Sequence, residues 1–140
     1  MSIEVLDESG HDLDIRHLAT LSRFVLDRMR VHPLAELCIK AVDEETIAGL
    51  NVQWMDKEGA TDVLAFPMDE LRPGLVNEEP EEGVLGDLAL CHGTVAELEL
   101  LTTHGILHLL GYDHAEPDEK AEMFGLQDKL LAEWRALDPT

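Results

Sequence analysis

The sequence predicts an α+β fold, a small mixed β-sheet packed by helices in one domain, on the strength of three observations. Strand-type and helix-type apolar periodicities interleave along the chain. Two compact apolar segments, 61–68 and 84–91, look like a hairpin and break strict strand–helix alternation, which calls for a sheet of mixed direction. The 140 residues suffice for one substantial core but not for two, so residues 1–140 read as a single domain.

The elements follow in order. SIEVLDE alternates Ile3 and Val5 with polar neighbours, as a short strand does. From Ile15 to Val31, Leu18, Leu21, Val25 and Met29 recur at helical spacing, and Pro33 stops the helix. Arg16, Arg23 and Arg30 fall seven apart on nearly the opposite side, as either a solvated face or a stripe able to touch RNA. Leu37, Ile39 and Ala41 alternate through a second strand. Asp43 or Glu44 caps a second helix through TIAGLNVQWM, closed by Gly59. TDVLAFPM (61–68) is a buried strand, and residues 69–83, rich in acids with two prolines and two glycines, read as an exposed, mobile acidic loop. VLGDLALC (84–91) is a strand interrupted by Gly86 and Asp87. A helix from about Ala96 to Leu110 ends at Gly111, and a last one runs from near Pro117 to about Leu137.

Composition narrows the function classes. Thirty acidic against ten basic residues give a formal net charge of −20, which argues against tight non-specific binding to nucleic acid or anionic membranes. A local cationic site can still dominate a cleft. No apolar stretch is long enough to span a membrane, and the acidic N-terminus does not read as a signal peptide. Cys38 and Cys91 lie far apart and make no disulfide framework or metal-type pair. A cytoplasmic protein with no membrane partner is expected.

The chemistry is concentrated in HGILHLLGYDH (104–114). His104 and His108 are four apart on a helix, so both imidazoles project from one face, the spacing by which helical histidine pairs bind zinc. Gly111 lets the chain reverse and bring His114 back against them. Three imidazoles suit one zinc ion per chain and leave a fourth position for water, as in catalytic sites. The alternative is a set of surface or core-satisfied histidines on an amphipathic helix. The same spacing occurs in metzincin proteases, where glutamate follows the first histidine as general base. Here that residue is Gly105, so a peptidase mechanism lacks its base and the catalytic acid or base is unassigned.

Four neighbours have two readings each. His92 is a fourth ligand or an exposed loop residue. Asp113 orients an imidazole or stabilises the turn. Glu116 is a substitute proton acceptor or simply one of many acids. Met123 packs beneath a metal or in the core with Phe124, Leu126, Leu130 and Leu131.

Three blocks, TDVLAFPM (61–68), LGDLAL (85–90) and HGILHLLGYDH (104–114), together with Leu50-Asn51 and EMFGLQDKLL (122–131), resemble the YbeY endoribonucleases over most of the chain. The resemblance implies an α+β fold and a zinc held by His104, His108 and His114. It also implies hydrolysis of single-stranded RNA in small-subunit rRNA 3′-end maturation and ribosome quality control, with Asp87 lining the cleft. Ribosomal RNA and the small ribosomal subunit are the implied partners. The sequence departs from the family at Met55, where an arginine is usual, at Ala65, where serine is usual, and in the shortness of segment 92–103. Met55 keeps a second class open, a ribosome-associated assembly protein with a structural zinc. A third is a metal-dependent hydrolase of another substrate, such as a peptide. The oligomeric state is not legible.

Overall fold

A computed structural model describes residues 3–10, 14–55, 62–69, 71–72, 83–113 and 116–137. Its elements are β1 (Ile3–Glu8), α1 (Arg16–Arg28), β2 (Glu36–Val42), α2 (Glu44–Met55), β3 (Val63–Pro67), β4 (Val84–Leu90), α3 (Val95–Leu109) and α4 (Pro117–Leu137). The strands form one sheet in the order β1-β2-β4-β3. β1, β2 and β4 run parallel and β3 pairs antiparallel with β4, so the sheet is mixed and the fold α+β.

The sheet separates two unequal apolar layers. Leu37 and Ile39 of β2 and Leu85, Leu88 and Leu90 of β4 face the principal core with α1, α3 and α4. Val42, Leu64 and Ala89 face the other way against Ile47 of α2. The register slips between Glu36 and Leu37, whose partners are Val84 and Gly86. That bulge explains how Leu85 and Leu88, three apart, reach the same face, and β4 runs through Gly86 and Asp87 rather than breaking there. Asp43 is the cap of α2, its Oδ1 accepting from Thr46 N–H at 2.7 Å. Gly59 lies outside the described residues.

Of the acidic segment 69–83, residues 70 and 73–82 lie outside the described residues. Its described ends are ordered by particular contacts. Asp69 Oδ2 accepts from Val84 N–H at 2.7 Å, and Leu71 is buried in the principal core.

Helix α1 stops at Arg28, earlier than the periodicity to Val31 implies. Val31 N–H reaches Leu26 O at 2.9 Å and Arg30 N–H reaches Asp27 O at 3.2 Å, with Arg30 at φ 57°. This is the Schellman ending, which reverses the chain three residues before Pro33. Arg30 therefore lies past the helix and does not extend a stripe with Arg16 and Arg23. Those two pair with acids, Arg16 Nε with Asp14 at 2.9 Å and Arg23 with Asp27 at 3.6 Å. The left-handed position costs a non-glycine residue roughly 1 kcal/mol. Arg30→Gly is expected to raise the thermal midpoint by a few degrees, read by circular dichroism.

Candidate metal centre

Helix α3 carries the histidine segment and is apolar on most sides because it is enclosed by α1, α4, β3 and β4. Thr94 caps it, accepting from Glu97 N–H at 3.3 Å. It begins at Val95, one residue before the periodicity suggests. At its other end Gly111 has φ 101°, and Tyr112 N–H donates to Leu107 O at 3.0 Å while Gly111 N–H donates to His108 O at 3.0 Å. The expected turn is thus another Schellman ending, here with the residue that adopts it without strain.

His104 and His108 are both half-buried, with ring centroids 4.6 Å apart and planes at 80°. The ring of Phe124 stacks on His104 at 5.6 Å. Gln127 Oε1 lies 2.7 Å from His104 Nδ1. An amide oxygen can only accept, so Nδ1 is the donor of this bond, and in the neutral ring Nε2 then carries the lone pair. A histidine held in this way is prepared to bind a metal through Nε2. The donor set suits zinc as far as it is described, two imidazoles side by side, one of them hydrogen-bonded to a buried amide. His114, the third expected ligand, lies outside the described residues. Among the described residues, no group of three or more His, Cys, Asp or Glu side chains is placed to hold a metal.

Gln127 is not among the residues that spacing singles out. Its signal is present, however: it occupies a buried position of α4 in the series Met123, Gln127, Leu130, Leu131, Trp134, where a polar side chain needs a partner.

Gly105 is set by packing. A Cβ there would stand 2.7 Å from Leu88 Cδ2, so this side of α3 lies against β4. The position that holds the general base in metzincins points into the core here, which argues against a peptidase of that kind.

The other candidates fall in several places. His92 sits at the start of α3, its Nδ1 accepting from Thr94 N–H at 3.2 Å, whereas His104 and His108 belong to the helix's last turns. This is a loop role. Met123 is fully buried in the principal core. Asp113 is exposed just past the turn, and Glu116 is exposed with its backbone carbonyl accepting from Lys120 N–H at 2.9 Å at the start of α4. Asp87 lines a groove of about 490 Å³ on the α2 face of the sheet, with Cys38, Lys40, Trp54 and Phe66. Ala65 is half-buried in β3, and the side chain of Met55 lies outside the described residues. Burial pushes the Cys38 thiol up, reinforced by the Asp87 carboxylate, and burial does the same at Cys91. Both therefore stay protonated near neutrality, unlike thiolate ligands or nucleophiles.

Two cations stand beside neighbours of the histidine pair. The Arg72 side chain packs on the Gly111 turn, its Nε 3.0 Å from where a Cβ would be. Lys120 Nζ lies 5.8 Å from the centroid of the Phe124 ring.

Two outcomes test this geometry. Gln127→Leu leaves the His104 Nδ1–H without its acceptor and is expected to lower zinc affinity about 10–100-fold in a competition titration, with Gln127→Glu retaining most of it. Gly105→Glu, which restores the protease-type residue, drives a carboxylate against Leu88. It is expected to destabilise by more than about 3 kcal/mol in urea unfolding and to yield no peptidase activity.

Comparison with known proteins places this architecture. The family model described as endoribonuclease YbeY matches residues 6–135. A Nocardioides protein named endoribonuclease YbeY is 75% identical, the alignment covering 97% of this chain and 99% of that protein. A Thermobifida fusca protein of the same name is 56% identical over 96% and 95% of the two chains. The Nocardioides alignment spans 148 positions, more than this chain contributes. The solution structure of a Thermotoga maritima protein superposes with a TM-score of 0.56 at 29% identity, covering 96% of this chain and 92% of that one. With a matching family model over nearly its whole length and relatives this similar, the chain belongs to the YbeY endoribonuclease family.

Proposed function

We propose that this chain is a zinc-dependent endoribonuclease that cleaves single-stranded RNA in late small-subunit rRNA 3′-end maturation and in ribosome quality control. Its partners in this reading are ribosomal RNA and the small ribosomal subunit, and its place is the cytoplasm. Among the described residues no helix is long and apolar enough to cross a membrane. The observation that carries the proposal is the pair of imidazoles on the last turns of α3, one of them held by Gln127 with its Nε2 lone pair kept for a metal. Family membership supplies the substrate class.

His104, His108 and His114 are assigned one zinc ion per chain. When bound, zinc would polarise a phosphoryl oxygen and lower the pKa of coordinated water toward neutrality. The rest is the work of the chain's own side chains. Gln127 keeps His104 in the Nδ1–H tautomer, Phe124 shields one face of that ring from water, and the Gly111 turn sends the chain back from the end of α3. A second reading is favoured by Met55, which stands where the family usually has arginine: a ribosome-associated assembly protein in which the zinc is structural.

Elemental analysis of the purified protein is expected to give about one zinc per chain, lost in His104→Ala. Cleavage of an unstructured RNA is expected from the metal-loaded protein and not from the apo protein or His108→Ala. Equal background rates in all three would sink the enzyme reading and favour the assembly role.

A further inference from the structure

A chain of net charge −20 that acts on a polyanion needs its cations where the substrate backbone passes. Three of the six described arginines pair with acids away from the histidine helix's end. Arg16 and Arg23 pair with Asp14 and Asp27, and Arg28 pairs with Glu133 at 3.7 Å. Arg72 differs in place. Its Nε, Cζ and Cδ lie 3.0, 3.1 and 3.3 Å from the position a Gly111 Cβ would take. The guanidinium thus stands on the turn that directly follows His108.

Arg72 is held there from behind. Leu71 is buried in the principal core, and Arg72 Nη1 donates to Leu71 O at 3.2 Å. The residue itself is exposed, so the planar fork has both a fixed base and access to solvent. A guanidinium of this kind binds a phosphodiester through paired, charge-assisted hydrogen bonds. The glycine at 111 serves two ends at once: it takes the positive φ of the turn and leaves the space that the arginine stem fills.

We infer that Arg72 is a substrate-binding residue of the histidine site, gripping a backbone phosphate of the single strand beside the scissile one. This rests on the endoribonuclease reading above. The competing role for Arg72 is purely local, a cation complementing the C-terminal end of α3, and the two roles have different signatures.

The test measures kcat and KM of the zinc-loaded protein on a fluorescent single-stranded oligoribonucleotide across a KCl series. The variants are Arg72→Gln, Arg72→Lys and, as a control that removes the same charge from an exposed ion pair, Arg16→Gln. Arg72→Gln is expected to raise KM about tenfold with a smaller effect on kcat. The slope of log KM against log[KCl] should fall by about 0.7, the value of one lost phosphate contact on a single strand. Arg16→Gln should match wild type in both. Arg72→Lys should keep the slope but raise KM, because the charge remains and the fork is lost. A drop in melting temperature with an unchanged slope would assign Arg72 to the helix end alone and overturn the proposal, as would wild-type KM in Arg72→Gln. If Arg72→Gln does not fold, Arg72→Lys decides, and wild-type KM there rejects the fork. Absence of RNA cleavage by the wild-type protein would instead refute the endoribonuclease reading, and the role of Arg72 with it.

Discussion

Gly105 lies against Leu88, and this contact sets the rotation of α3 about its own axis. A Cβ would meet Leu88 Cδ2 at 2.7 Å, so a larger residue here requires the Leu88 side chain or the helix to shift. With that side pressed to the sheet, positions 104 and 108 are turned by about 100° and 60° from it, toward α4. There His104 meets Phe124 and Gln127. A residue at 105 bulky enough to lift or roll the helix would separate the imidazole from its acceptor. The packing of the core and the preparation of the site are therefore one constraint.

The electrostatics of the molecule follow a similar division. The chain is strongly acidic, while one cation, Arg72, stands at the Gly111 turn and another, Lys120, lies 5.8 Å from the centroid of Phe124. Beyond a Debye length of about 8–10 Å the acidic excess is largely screened at physiological salt. A site of this kind is attractive to a phosphate within reach and indifferent to one farther away. Under the proposed function, that suits selective contact with an exposed single strand better than broad adhesion to nucleic acid.

The helix ends show how one backbone geometry is reached with different residues. α1 and α3 both finish in Schellman endings, with Arg30 at φ 57° in the first and Gly111 at φ 101° in the second. At α1 the reversal only turns the chain toward β2, and a strained arginine suffices. At α3 the missing side chain also makes room for Arg72, so the glycine has a second use that its conformation alone would not reveal.

Much of this was legible from local pattern. The strand and helix periodicities, the Asp43 cap, the Gly111 turn and the His104–His108 spacing are properties of short windows, and short-range sterics decide them in the same way wherever the window sits. The adjacency of β4 to β2, the bulge at Gly86 and the pairing of Gln127 with His104 involve residues far apart in sequence, and no local rule specifies them. Arg72 is the clearest case. In the sequence it is one basic residue in an acidic, proline-containing segment, and only the burial of Leu71 beside it delivers its guanidinium to the Gly111 turn. The sequence alone singled out the histidines expected to hold a metal, because residue type and spacing carry that information. The tertiary structure alone decided which of them meet, because that depends on how α3 packs between the sheet and α4.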